Sequence, residues 1–266
     1  WVMSFDLASL YPHLIMQYNI SPETIQSRIP NVSIDSMLDK TNVFDLTNYT
    51  ITPNGMTYST KTRGFIPELM DHYFSSRKIV KTKMIQAQKD GNKDLEEKLY
   101  AEQMALKILL NSLYGALGNK YFRHFDVNMA ESITMSGQLS IRWIEREINK
   151  YMNHIMKTDD ADYVIASDTD SVYVSFESLM DKLTWRPNQG IQDKVDFLDS
   201  IGSNQFRKFI DKSYQELADY TNAYDQKMFM DREAIADSTV FFAKKRYIMN
   251  VIDNEGVRYE TPKIKM

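Results

Sequence analysis

The 266-residue chain has no cysteine, which excludes disulfides and thiolate metal sites and fits a reducing compartment. It has no apolar run near the roughly 20 residues a membrane span needs, and its opening residues do not read as a signal peptide. Positive charge is not in excess: 32 Lys and Arg stand against 36 Asp and Glu, a formal net charge of −4. Any nucleic-acid partner must therefore be held by local basic patches against an unfavourable overall charge. Internal repeats and low-complexity tracts are missing as well. What remains, 43% hydrophobic and 26% charged residues, is ordinary for a folded globular protein of one large or two small domains. Its 16 methionines are scattered and read as core filler.

"WVMSFD" (1–6) reads as a buried strand from the first residue, and a core strand with no lead-in is expected to be cut from something longer. "LASLYPHLIMQYNI" reads as a turn running into a helix. In "YTITPNGMTYST" (49–60) alternating Thr and Tyr surround Asn54-Gly55, the dipeptide that tolerates positive φ, so a β-hairpin is predicted. A helical run from Pro67 to about Lys89 is broken by "KDGNKD", and "LEEKLYAEQMALKILLNSLYG" returns as a second helix. Ile133, Gly137, Ile141, Ile144, Ile148, Tyr151 and Ile155 mark another helix. Helical spacing recurs over 191–221, and "RYIMNVIDNEGVRYE" reads as a second hairpin. Strands flank helices without a βαβ rhythm, so the expected class is α+β with an antiparallel sheet.

Between apolar runs, "YVIASDTDSVYV" (163–174) crowds Asp168 and Asp170 two positions apart. A turn aspartate ordinarily bonds its own backbone. Two of them between buried strands raise each other's energy unless a cation intervenes, which points to hard Mg²⁺ or Mn²⁺. Asp6 ends a similarly apolar strand. If both strands share a sheet, Asp6 and Asp170 face one another across a pair of divalent ions.

The helical hairpin carries the opposite charge. Arg77 lies about 14 residues before its turn near Gly91 and Lys107 about 16 after it, hence nearly level at 1.5 Å per residue. Arg77 and Lys81 share one helix face; Lys107, Asn111 and Tyr114 stripe the other helix. Charges alone describe a solvated face, but an asparagine among the leucines of "LKILLNSLYGALG" does not. Together these groups make a cradle for a polyphosphate. In "AKKRYIMNV", Lys244, Lys245 and Arg246 precede Tyr247, a short basic cluster with an aromatic that suits a nucleic-acid backbone. Asp231 and Glu233 of "MDREAI" read as sharing a strand face, with Arg232 beside them as a surface salt-bridge partner.

Four of these motifs stand in a fixed order. "DLASLYP" resembles the first catalytic motif of family B DNA polymerases, "KILLNSLYG" their fingers motif, "SDTDS" their second catalytic motif and "KKRY" their primer-binding motif. "SPETI" and "TPNGMTY" are similar to the replicative polymerases of T-even-like bacteriophages. The resemblance spans nearly all of the chain and implies an antiparallel palm at 1–63 and 120–266, with a helical fingers insertion at 64–119. The family's amino-terminal and exonuclease domains would precede Trp1, and its thumb would follow Met266.

By the same resemblance the chain is a template-directed DNA polymerase core, in which the primer 3′-hydroxyl attacks the α-phosphate of a dNTP and pyrophosphate leaves. Asp6 and Asp170, with the Leu7 carbonyl, would ligate two Mg²⁺ ions, Mn²⁺ substituting, and Asp168 would be an accessory carboxylate. Arg77, Lys81 and Lys107 would grip the triphosphate with Asn111 nearby, Lys107 also giving the leaving group a proton. Amides of Ser9, Leu10 and Tyr11 would bind phosphate oxygens. The Tyr11 ring would exclude a ribose 2′-hydroxyl, and Tyr114 would flank the new base pair. Lys244, Lys245, Arg246 and Tyr247 would touch the primer.

Primer–template DNA and dNTP are the implied partners, with a sliding clamp and other replisome proteins reached through regions outside this chain and no membrane. The implied location is the cytoplasm of an infected host or of a bacterium. His13, where many relatives have serine, is expected to serve helix packing or to be a neutral variation, and Ser167 stands where relatives often have glycine. Three rival readings stand beside it: another metal-dependent palm enzyme, such as a reverse transcriptase or nucleotidyl cyclase; a segment of a split polymerase that binds DNA or assembles with other pieces but is inactive alone; and an α+β domain with decorative charges, which leaves the ordered motifs unexplained.

Overall fold

Strand β1 (Val2–Leu7) leads into α1 (Leu10–Gln17), then β2 (Ile25–Arg28), the short α2 (Ile34–Leu38) and the hairpin of β3 (Tyr49–Ile51) and β4 (Met56–Ser59). Two long helices follow, α3 (Phe65–Lys89) and α4 (Lys93–Leu117), then α5 (Val127–Met156). Next come β5 (Val164–Ser167), β6 (Ser171–Ser175), α6 (Glu177–Lys182), α7 (Ile191–Ser200), a π-helical stretch Ile201–Phe206 and α8 (Arg207–Tyr220). The long strands β7 (Met230–Ala243), β8 (Arg246–Asn254) and β9 (Val257–Lys265) close the chain. This computed structural model describes residues 1–186 and 189–266. The fold is α+β with antiparallel sheets. It divides into two compact units, one of Trp1–Ala8, Gln138–Leu217 and Met228–Met266, the other of Ser9–Gly137 and Ala218–Lys227.

The first unit is built on a six-stranded sheet in the order β5-β6-β1-β7-β8-β9. Alternation along β1 gives the sheet two different faces. Phe5 stacks on Phe206 at 5.5 Å, and Phe206 meets Phe176 and Tyr151, so one face is covered by helices. Trp143 of α5 donates its indole N–H to the Ser213 carbonyl of α8 at 3.1 Å, fixing that helical layer. Val2 lies on the other face and clusters with Tyr173, Ala234, Ala236, Met249 and Val251. Asp6 shares the parity of Val2 and therefore sits away from the helices.

Ion pairs tie the helical layer to the sheet. Arg232, 7% exposed, reaches Asp199 of α7 at 2.7 Å and also pairs with the fully buried Asp253 of β8. Arg258 bonds Asp196 at 2.9 Å and Asp199 at 3.3 Å. The surface salt bridge expected between Arg232 and its acidic neighbours is thus not formed. Consecutive strand residues point to opposite faces, so Arg232 turns to the helices instead.

In the second unit Gly55, at φ 81°, turns the predicted hairpin, and β2 joins it as a sheet of order β2-β4-β3. A β-carbon on Gly55 would lie 2.2 Å from the Ile29 carbonyl oxygen, so no larger residue fits this turn. The buried Tyr58 hydroxyl bonds Ser132 of α5 at 2.8 Å, and Asn54 accepts from Ser132 at 3.0 Å. Helices α3 and α4 pair antiparallel around Val80, Ala87 and Leu99, with Met84 and Leu106 alongside, and Gly91 turns the connection at φ 70°. His13 is 5% exposed and meets Phe74 of α3 edge-on at 4.6 Å, a packing contact.

Candidate active site

Two apolar strands bring the acidic residues of the first unit together. β1 pairs with β6 so that Asp6 lies opposite Ser171, and the Leu7 amide donates to the Asp170 carbonyl at 2.7 Å. Asp168 meets its own turn's needs: it accepts from the Thr169 amide at 2.8 Å and hydroxyl at 3.2 Å, while its amide donates to the Ser171 carbonyl at 2.9 Å. It also pairs with Lys245 at 3.6 Å.

The charges of Asp6 and Asp170 are only partly compensated. Burial and then the Asp170 charge push the Asp6 carboxyl from its ordinary value to about 7, with Glu233 adding to the rise and Lys265 opposing it. Asp170 is raised by burial, then by Asp168 and Glu233, and is partly relieved by its own backbone bond and Lys245. Two oxygen-donor carboxylates held this way fit a hard divalent cation, the counter-charge they lack. Among the described residues, no group of three or more His, Cys, Asp or Glu is set to hold a metal ion.

Glu233 was not legible as a neighbour of Asp6. β1 and β7 run in register with Ser4 opposite Ala234, but the next pair is Phe5 with Arg232, so Glu233 is the extra residue of a β-bulge. The same ladder sets Asp231 opposite Asp6. Glu233 accepts from the Ser4 hydroxyl at 3.2 Å and pairs with Lys265 at 2.6 Å, whereas Asp231 pairs with Arg207 at 2.6 Å.

A raised carboxyl has a sign in stability. Between about pH 4 and 7 the folded protein keeps on Asp6 a proton that the unfolded chain has released, so this contribution is full below about 4 and lost as pH rises through 7. Asp6→Asn removes that loss. We expect the metal-free variant to unfold at higher urea than the parent at pH 8, by on the order of 1–2 kcal/mol after allowing for solvent screening at a half-exposed site. The two should converge near pH 4. A less stable variant at pH 8 contradicts the electrostatic account.

The exposed Lys244 and Lys245 form the β7–β8 connection, with Lys245 at φ 60°, and the exposed Arg246 opens β8. Tyr247 is half-buried, 5.7 Å from Phe241 and 5.4 Å from Tyr173.

In the second unit, Ser9 opens α1 at φ 50° with no side-chain capping bond, so the Ser9, Leu10 and Tyr11 amides make its first turn. The Tyr11 ring stacks on Tyr114 of α4 at 4.5 Å. A β-carbon at Gly137 of α5 would come within 3.4 Å of Leu10 and 3.7 Å of Tyr11, so the glycine keeps room for that stack. Along the α3–α4 pair, Lys81, Lys107 and Asn111 are exposed, while Arg77 is half-buried with its Nε buried and without a hydrogen-bond partner. Sequence reasoning missed the loop after α4, where Tyr121 is 85% exposed and carries the Lys120 ammonium 5.0 Å over its ring. The basic-aromatic run "KYFRHF" was the signal.

The sequence model described as DNA polymerase family B matches residues 1–195. Over its whole length the chain is 34% identical to the DNA-directed DNA polymerase of Escherichia phage RB69 and 34% identical to that of Enterobacteria phage T4, covering 36% of each. It is also 32% identical, over 65% of its length, to the DNA polymerase alpha catalytic subunit of Arabidopsis thaliana, of which it covers 9%. The chain thus spans about a third of the length of the phage proteins it matches.

Proposed function

The chain belongs to DNA polymerase family B, and we propose that it carries the catalytic part of a template-directed DNA polymerase. In this reading residues 1–63 and 120–266 act as palm and 64–119 as fingers. That division is functional and differs from the compact units, which group 9–63 and 120–137 with the helical hairpin. The observation that carries the reading is the pair of half-buried carboxylates with raised pKa, Asp6 and Asp170, at adjoining ends of β1 and the β5–β6 turn.

Asp6 and Asp170, with the Leu7 carbonyl, would hold two Mg²⁺ ions, or Mn²⁺ in their place, which supply an acidified primer 3′-hydroxyl and neutralise charge at the α-phosphate. The rest is positioning by this chain's residues. Arg77, Lys81 and Lys107 grip the triphosphate, Asn111 lies beside them, and the Ser9, Leu10 and Tyr11 amides bind phosphate oxygens. Lys107 delivers a proton to the departing pyrophosphate oxygen. Lys244, Lys245, Arg246 and Tyr247 hold the primer. Asp168, engaged with its own turn and Lys245, braces the acidic turn against the basic one.

Tyr11 is the selector of sugar. The stack on Tyr114 fixes its ring, so a ribose 2′-hydroxyl meets a side chain that cannot swing aside. Tyr11→Ala should lower discrimination against ribonucleotides by about 10²-fold with deoxyribonucleotide incorporation largely kept. Unchanged discrimination in single-nucleotide incorporation assays refutes the role.

The test of the function is primer extension with Mg²⁺ on DNA and RNA templates, by this chain alone and joined to the remaining segments of its phage relatives. Extension on DNA supports the reading, and failure of the joined protein sinks it. Because the chain spans only 36% of those relatives, extension that appears only after joining supports the second reading, a segment inactive by itself. DNA held by this chain's own cations alone should be released steeply as salt rises, because such binding rests on phosphate neutralisation. Sliding-clamp and replisome partners would be reached through the other segments.

A further inference from the structure

Helix α3 has no capping side chain of its own, because the residue before its first turn is Gly64. Its leading amides are satisfied from a segment more than forty positions upstream. Gly64 N–H donates to Asn19 Oδ1 at 2.8 Å, Phe65 N–H to Glu23 Oε1 at 2.5 Å, and Ile66 N–H to Ser21 Oγ at 3.4 Å. All three acceptors come from six consecutive residues, "NISPET" (19–24), whose shape is itself fixed. Thr24 Oγ1 donates to the Asn19 and Ser21 carbonyls at 2.6 and 2.9 Å, and Ser21 Oγ donates to Glu23 Oε2 at 2.7 Å. Asn19 is fully buried at φ 52° and gives its amide protons to the Ser59 and Thr62 carbonyls. A β-carbon at Gly64 would stand 2.5 Å from Ser21 Cβ, so only glycine lets the two segments close up.

We propose that Asn19, Ser21 and Glu23 are the mount of α3, and through it positioning residues for the cations Arg77 and Lys81; this rests on the polymerase reading. The lever is long. Lys81 lies 16 residues from Phe65, about 24 Å along the axis, so a 10° tilt at the mount moves it by about 4 Å, farther than a hydrogen bond reaches. Burial draws the Glu23 carboxyl upward, but the bonds from Ser21 and the Phe65 amide outweigh it and hold the group below its ordinary range. An anion is thus kept at the positive end of the helix carrying the cations. A mount built from three side-chain acceptors, with no backbone strand pairing, can hold a helix firmly and still let it pivot.

The test uses the intact polymerase. Glu23→Ala and the Ser21→Ala/Glu23→Ala double variant should raise KM for the incoming dNTP about 10-fold while kcat changes less than about 3-fold and primer–template affinity is unchanged. Glu23→Gln keeps the Oε1 acceptor and should stay within about 2-fold of the parent. Hydrogen exchange should accelerate at amides 64–66 in Glu23→Ala and not in Glu23→Gln. A dNTP KM unmoved in the double variant overturns the proposal, as does parallel loss of dNTP and DNA binding, which marks general unfolding. A parent protein that extends no primer sinks the polymerase reading instead, and the exchange rates at 64–66 then still decide whether the mount exists.

Discussion

We expect Asp170→Ala to lower primer extension by about 10³-fold or more while primer–template binding stays within a few-fold of the parent. The size follows from what the residue is for. In the proposed mechanism Asp170 and Asp6 hold both cations, and phosphoryl transfer between anions has little other means of neutralising its transition-state charge. DNA binding is spared for an equally physical reason. The substitution deletes a negative charge from a site already crowded with them, so repulsion toward phosphate falls. The fold should not suffer either, since burial and Asp168 raise this carboxyl and its removal relieves that repulsion. A variant that extends primers near the parental rate ends the assignment, and one that loses DNA binding in step with activity indicates damage elsewhere.

Lys107→Ala is expected to cost about 10²–10⁴-fold in kcat, the range of a lost general acid, together with a higher KM for dNTP from the lost charge. Lys107→Arg separates the two roles. Arginine restores a cation near the triphosphate but does not give up its proton, so KM should recover and kcat should not. Measuring both variants by pre-steady-state incorporation decides the matter. Full recovery of kcat in Lys107→Arg leaves Lys107 a charge clamp only.

Much of this arrangement can be read from the chain because local chemistry and tertiary structure agree there. Apolar runs on either side of Asp6 and Asp170 demand strands, Asn54-Gly55 demands a tight hairpin, and "KDGNKD" can only break a helix. The helical spacing of 191–221 was legible, but its division into α7, a π-helical stretch and α8 was not. β2 and α2 are short and carry weak periodicity, so no signal announced them.

The unread parts depend on distance along the chain. Glu233 approaches Asp6 through a single-residue bulge, and Lys265 of β9 reaches Glu233 of β7 across the intervening β8. Neither a bulge nor the register of β9 has a pattern in the residues themselves. Arg232 illustrates the same limit from the other side. Its acidic neighbours in sequence suggested a surface pair, but strand alternation hands it to Asp199 and Asp253. The capping of α3 by Asn19, Ser21 and Glu23 is likewise a meeting of segments that no local rule links.

The central claim is that Asp6 and Asp170 jointly hold the ions that make this chain catalytic. Anomalous scattering from crystals of the protein with primer–template, an unreactive dNTP analogue and Mn²⁺ tests it most directly. Two manganese peaks in contact with the Asp6 and Asp170 carboxylates are predicted. Manganese held elsewhere, for instance by Asp231 and Glu233, with none at Asp6 and Asp170, contradicts the account.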